Sequence, residues 1–349
     1  MPASRFVGIQ SLRFIAALMV VLTHTTHMIG ERIFDIGNGN VWREGNAGVD
    51  IFFVISGFVM LTSAASLRKS ASTAFDFIIR RFLRIVPLYW VATTLKLIAV
   101  LLIPAATVHS SIDPLHVIGS YLFLPRYNVD HDIMPLIGVG WTLMFEMFFY
   151  ALFATALFLK RSPIGFIFPV LIALSGLSLL KHQDGGAWQF YLDPILMEFG
   201  FGMVAARLIR AGFVIRADVA IAAILVAFGA LFVPSEMYGS QRAIGWGIPA
   251  FVIVTCTAAI EPLLSRHLPR FLTYLGDTSF ALYLFHGFYV PMVGIALLRL
   301  GMGDARLAFG VSVAGSIVLG ILAHRFVEIP LSSRLKTAFI RPTLVPVPI

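Results

Sequence analysis

The chain has 349 residues, of which 58% are hydrophobic and only 13% charged, with a mean hydropathy of +0.89. A water-soluble domain of this length carries about twice that share of charge, because its surface must be wetted. Secreted soluble, disordered and nucleic-acid-binding proteins are excluded together. The net charge of +8 is explained first by the retention of Lys and Arg on the cytoplasmic side of a membrane protein, without any polyanionic partner. A single cysteine, Cys256, excludes an internal disulfide and a cysteine-based metal site.

Apolar runs of about 20 residues mark membrane-crossing helices. In chain order they fall near 10–29, 48–66, 84–103, 141–159, 164–180, 191–209, 218–233, 243–260, 278–298 and 308–327. The predicted fold class is therefore all-α: a polytopic integral membrane helix bundle of about ten transmembrane helices over residues 1–330. Residues 331–349 are expected to form a short cytoplasmic tail with no second soluble domain. The first run lacks a small-residue cleavage site and is read as a retained helix, not a signal peptide.

With the N-terminus inside, the inner segments hold seventeen Lys and Arg, Arg5, Arg68, Lys69 and Arg341 among them, and the outer segments hold seven. This asymmetry puts both termini in the cytoplasm. The two longest connections, 30–47 and 104–140, then face outward and carry Trp42, His109, His116, Arg126, His131 and several acids. Within the second, Pro114 to Pro125 is too short to cross and is expected to be re-entrant or interfacial.

Ionisable residues inside the spans are the functional candidates, since lipid penalises them by at least a few kcal/mol. Arg13 and His24 lie eleven residues apart on the first span, which returns them to one helix face roughly 16 Å apart along the axis. An anion-binding guanidinium at one end and a proton-transfer group deeper in suit a reaction path across the membrane; a snorkelling arginine and a hydrogen-bonded core histidine fit the same spacing. His27, one turn on, reads as interfacial. Asp50 opens the second span as a helix cap or a buried charge, ahead of the small residues Ser56 and Gly57 that permit close helix packing. Arg80, Arg81 and Arg84 crowd the start of the third span, as topological anchors or as a phosphate site. On the fourth, Thr142, Glu146 and Tyr150 recur at fourfold spacing and share a face. Glu198 reads as buried glue or interfacial, His286 as bonded to a neighbouring helix or chemically active, and Glu328 before Ile329-Pro330 as a helix terminator.

These residues sit in ordered motifs. Arg13 is followed after ten residues by His24. Then come Gly48-Val49-Asp50-Ile51-Phe52-Phe53-Val54-Ile55-Ser56-Gly57, Arg81-x-x-Arg84-Ile85-x-Pro87, Trp141-Thr142-Leu143-x-x-Glu146-x-x-Phe149-Tyr150, and Gly276-Asp277-Thr278-Ser279-x-x-Leu282-Tyr283-Leu284-x-His286. The set resembles the acyltransferase family 3 integral membrane enzymes from the N-terminus to about Pro330, and within them the exopolysaccharide O-acetyltransferase branch. The resemblance implies a bacterial inner-membrane enzyme that takes an acyl group, usually acetyl, from cytosolic acetyl-CoA or another acyl-CoA. The acceptor it implies is a sugar hydroxyl of an outer-face polysaccharide or lipid-linked oligosaccharide, with membrane lipid as the medium and no metal or nucleic acid.

Carried over residue by residue, the resemblance implies His24, Arg13 and Glu146 as catalytic candidates and Arg13, Arg81 and Arg84 as contacts for the donor's phosphates. Asp50, Trp141, Tyr150 and His286 are candidate substrate contacts. A neutral imidazole at His24 can take the proton of an attacking hydroxyl or itself accept the acyl group. Glu146 can hold the imidazole tautomer only if the first and fourth spans touch. The competing function class is a secondary transporter or flippase for a lipid-linked sugar, which would use the same buried charges as binding sites.

Overall fold

The computed structural model describes residues 6–33, 42–64, 73–102, 113–182, 185–233 and 241–339. Arg5, Arg68, Lys69, His109 and Arg341 lie outside them. Within them the chain is helical: α1 Val7–Thr26, α2 Ala47–Ala64, α3 Thr73–Leu102, α4 Pro114–Tyr121, α5 Trp141–Phe158, α6 Pro163–Leu177, α7 Leu196–Arg210, α8 Ala217–Ala230, α9 Ile248–Ala259, α10 Glu261–His267, α11 Arg270–Arg299, α12 Ala305–Ala323 and α13 Ile329–Phe339. Every predicted span has its helix. Seven helical stretches among the described residues are each long and apolar enough to cross a bilayer, and the segment through α9 and α10, bent by 72°, is a broken span or a re-entrant loop. The sixth and seventh predicted spans appear as α7 and α8, of 15 and 14 residues, shorter than a full crossing.

Side-chain contacts fix the helix directions. Gln10 meets Gly276 and Asp277 while His24 meets His286, so α1 and α11 run parallel. The rings of Phe77 and Phe153 stack at 5.1 Å while Tyr89 lies against Gly140, so α3 and α5 run antiparallel. Gly315 faces Tyr289 and Gly320 faces Leu282, which makes α12 antiparallel to α11. These directions are what successive crossings require. Below, the near end of the bundle is the one where α1 starts and the far end the one where it finishes.

The centre is built by α1 between α2 and α11, with α2 also packed on α7. Close approach is possible because the crossing points lack side chains. A Cβ at Gly57 would strike the carbonyl oxygen of Phe199, and one at Gly202 that of Val54, so the two backbones touch as in other small-residue membrane crossings. Stacked aromatics fill the space beside this crossing, with Phe53 on Phe199 at 4.6 Å and Phe149 on Phe199 at 4.4 Å.

Two expectations change in detail. The third helix starts at Thr73, eleven residues before the apolar run, and α11 starts at Arg270, eight before its run. The chain also does not stop at Glu328. It continues through a wide turn, His324–Glu328, closed by His324 Nδ1 and Glu328 Oε2 at 2.7 Å, into α13. Ser332 on α13 reaches the Leu83 carbonyl of α3, so the segment after Pro330 begins as a packed helix. At the far end, Asp113 caps α4 by accepting from the amides of Leu115 and His116. Leu115, Ile118 and Leu122 are exposed along one side of α4, the pattern of a helix lying at the interface.

Candidate active site

A cavity of about 140 Å³ opens in the bundle, lined by α1, α2, α3, α5 and α11. It has room for on the order of ten waters, which suits a slender chain. Its charged lining residues are Arg13, Arg81, Arg84 and Glu146, three cations against one anion, which leaves two positive charges in excess. Helix geometry accounts for the grouping. Arg81 and Arg84 are one turn apart on α3, and Glu146 and Tyr150 are one turn apart on α5, which faces it.

Glu146 is held on both sides. Tyr150 Oη donates to Glu146 Oε1, and Ser56 Oγ donates to the same oxygen at 3.2 Å. Arg81 donates to Ser63 Oγ at 2.5 Å, with its guanidinium 5.4 Å from the centre of the Phe77 ring. Arg13 lies within 3.5 Å of Gln10 Oε1, and Gln10 Nε2 in turn donates to Asp277 Oδ1. The lining can therefore hold an anionic group in a pocket whose other walls are mostly apolar, with Gln10, Ser56, Thr142, Tyr150 and Tyr283 as further polar residues.

Tyr283 is part of the cavity lining. Its hydroxyl lies 2.9 Å from Thr142 Oγ1 and donates to the Val139 carbonyl at 2.9 Å, and its ring packs edge-on against Phe52. On α11, one turn further on, is His286, with its ring centre 6.2 Å from that of Tyr283. His286 is fully buried, and its Nε2 lies 2.7 Å from His24 Nδ1. Tyr283, packed on Phe52, thus lines the cavity and also lies beside His286.

The structure brings Arg13, Arg81, Arg84, Glu146 and Tyr150 together around the cavity, and His24 is not among its lining residues. It corrects the partner expected for His24. Glu146 is engaged by Ser56 and Tyr150, and the imidazole contact comes from His286, whose bonding to a neighbouring helix was one of its two expected roles. The four candidate substrate contacts also do not form one subsite. Tyr150 belongs to the cavity and His286 to the histidine pair.

Asp50 is fully buried, and Arg242 donates to both its oxygens at 3.0 and 2.9 Å. Trp141 packs beside that guanidinium, 5.7 Å away, with Trp246 at 5.2 Å. Glu198 is buried in the same far-end cluster. Burial raises the Asp193 carboxyl ahead of α7 above its ordinary range, opposed by the Ile195 amide it accepts from. Sequence reasoning missed Arg242, Ser56 and Tyr283. For Ser56 and Tyr283 the signal was their place inside the motifs; for Arg242 there was none. Among the described residues no group of three or more His, Cys, Asp or Glu is arranged to hold a metal ion.

The family model described as an acyltransferase domain matches residues 6–325. The chain belongs to acyltransferase family 3. This acyltransferase is 32% identical over 303 residues to the exopolysaccharide production protein ExoZ of Rhizobium meliloti, covering 85% of the chain and 92% of that protein. It is 26% identical over 350 residues to the acyltransferase MdmB of Streptomyces mycarofaciens, covering 91% and 87%. A stretch of 189 residues is 28% identical to the Na(+)/H(+) antiporter NhaA of Christiangramia forsetii, covering 44% of the chain and 41% of the antiporter. That is too little of either to carry the transporter reading against a family match along nearly the whole chain. No solved structure matches. The protein is thus a multi-pass membrane O-acyltransferase that uses an acyl donor.

Proposed function

We propose that the enzyme moves an acetyl group from cytosolic acetyl-CoA to a sugar hydroxyl of a polysaccharide or lipid-linked oligosaccharide at the outer face of the bacterial inner membrane, with both its termini in the cytoplasm. The observation that carries this is the cavity with two positive charges in excess, one of whose lining residues, Tyr283, lies beside a buried histidine pair. Arg13, Arg81 and Arg84 hold the donor's phosphates by charge-assisted hydrogen bonds. The thioester reaches past Phe52 and Tyr283 to His24. As the sugar oxygen attacks the thioester carbonyl, the His24 imidazole takes the hydroxyl proton. A C–O bond forms, the C–S bond breaks, and the imidazolium returns the proton to the leaving thiolate. The acceptor assignment is supported by the likeness to an exopolysaccharide production protein.

The test uses acetate content of the exported polysaccharide, normalised to enzyme in the membrane, together with CoA binding to the purified protein. His24→Ala should keep CoA binding and lose acetylation by about 10²- to 10⁴-fold, the usual loss for acid–base catalysis. Arg81→Ala and Arg84→Ala should weaken CoA binding more than the Lys variants do, because Lys keeps the charge and loses only the forked geometry. Full acetylation by a well-expressed His24→Ala enzyme, or unchanged CoA binding in both Ala variants, would overturn the corresponding half.

A further inference from the structure

The two imidazoles are edge to edge. Their planes differ by 8°, and their centres are 5.0 Å apart with a nitrogen-to-nitrogen distance of 2.7 Å. The centre separation equals that contact plus a ring radius at each end, so the nitrogens point at one another in a shared plane. Face-to-face stacking would bring the centres closer. This is the geometry of an N–H···N hydrogen bond.

Its direction follows from the next link. His286 Nδ1 lies 3.2 Å from the carbonyl oxygen of Leu282, one turn earlier on α11. A carbonyl carries no proton, so the hydrogen of that bond sits on His286 Nδ1. In a neutral imidazole the other nitrogen is then an acceptor. His286 Nε2 therefore accepts, and His24 Nδ1 carries the hydrogen it donates. The remaining nitrogen of His24, Nε2, keeps its lone pair. Both rings are neutral at rest, as burial in a lipid-embedded core demands.

We propose that His286 is the positioning residue of His24: anchored on the Leu282 carbonyl, it fixes the tautomer and ring plane of His24 so that Nε2 is the nitrogen that takes the substrate proton. The proposal rests on the reading of His24 as the base. In hydroxyl-to-thioester transfer the proton moves from the sugar oxygen to His24 Nε2 and then to the departing sulfur. His286 gains and loses none, and its bond from His24 Nδ1–H strengthens while His24 is an imidazolium. A carboxylate performs this task in hydrolytic triads. A neutral imidazole performs it here without placing a resting charge among Leu282, Phe285 and the other buried side chains of α11. The neighbouring titratable groups are His27, one turn on from His24, and Tyr283.

The experiment uses purified full-length enzyme, labelled acetyl-CoA and the acceptor polysaccharide. His286→Gln puts an amide oxygen where Nε2 stood and should keep kcat within about tenfold. His286→Leu offers no acceptor and should lower kcat by about 10²-fold with little change in the donor KM, the mark of a group acting in the transition state. Adding His286→Leu to His24→Ala should cost nothing further, because one residue acts through the other. His286→Glu places a carboxylate against Nδ1–H and favours the imidazolium. Activity needs neutral His24 and is lost as pH falls through its pKa, so the acid limb of kcat should move up by about one pH unit or more. A position out of hydrogen-bonding reach of His24 would leave that limb in place.

Near-wild-type kcat in His286→Leu, or an unmoved acid limb in His286→Glu, overturns the proposal. If the Leu variant fails to reach the membrane, the Gln and Glu variants decide. An active His24→Ala enzyme would instead sink the reading of His24 as the base, which separates the two failures.

Discussion

Asp50 and Arg242 are 192 positions apart and meet through two parallel hydrogen bonds, with Asp50 wholly buried and the Arg242 side chain 14% exposed. Removing one member leaves the other's charge stranded, at a cost of about 3–5 kcal/mol. Asp50→Ala should therefore lower the unfolding midpoint in detergent strongly, Arg242→Ala similarly, and the double variant by less than the sum. Additive losses would show that the two side chains are not energetically coupled. At this scale the cavity residues were legible in the sequence and the pairings were not. Arg13, Arg81, Arg84, Glu146 and Tyr150 stand out because lipid penalises ionisable and polar groups wherever they fall in an apolar run. Which residue on a distant helix answers a buried charge leaves no periodic trace, so neither Arg242 as the partner of Asp50 nor His24 as the partner of His286 could be read.

Among the helices, the α2–α7 crossing makes the sharpest demand on sequence. Gly57→Ala and Gly202→Ala each drive a methyl into a carbonyl oxygen of the opposite backbone, and overpacking of this kind costs about 1–3 kcal/mol. Gly229→Ala on α8 is the control. Nothing lies within 4 Å of its Cβ position, and alanine is favoured over glycine within a helix by about 1 kcal/mol. Thermal unfolding should show a loss for the first two and none for the third. Equal behaviour at all three sites would mean the helices can separate without penalty. Helix existence was readable from apolar runs, but starts were displaced where the first turns are polar. Thr73 to Arg81 and Arg270 to Asp277 are helical yet too polar to register as part of a span, since hydropathy reports contact with lipid and not hydrogen bonding along the backbone.

For the molecule as a whole, the uneven distribution of Lys and Arg and the alternating helix directions make one prediction about sidedness. In a background where Cys256 is replaced, a cysteine at exposed Arg161, just after α5, should resist an impermeant thiol reagent applied to intact cells. A cysteine at exposed Asp130, between α4 and α5, should react. Labelling of position 161 from outside would invert the model of a cytoplasmic donor site.

The position of the cationic cavity has an electrical consequence. On the proposed reading the donor is held on the cytosolic side and the acceptor lies on the outer side, so any net charge passed between them would cross the membrane voltage. Moving one elementary charge across it would exchange about 2.3 kcal/mol per 100 mV with the membrane potential. The phosphates stay on the near side with Arg13, Arg81 and Arg84, and as the acyl group passes outward the hydroxyl's proton passes inward to the thiol, so donor and acceptor each keep their net charge. Transfer therefore does no work against the field. An exporter of charged substrates through the same bundle would feel every change in membrane potential, whereas this enzyme should turn over at the same rate in energised and in uncoupled vesicles supplied with the same donor.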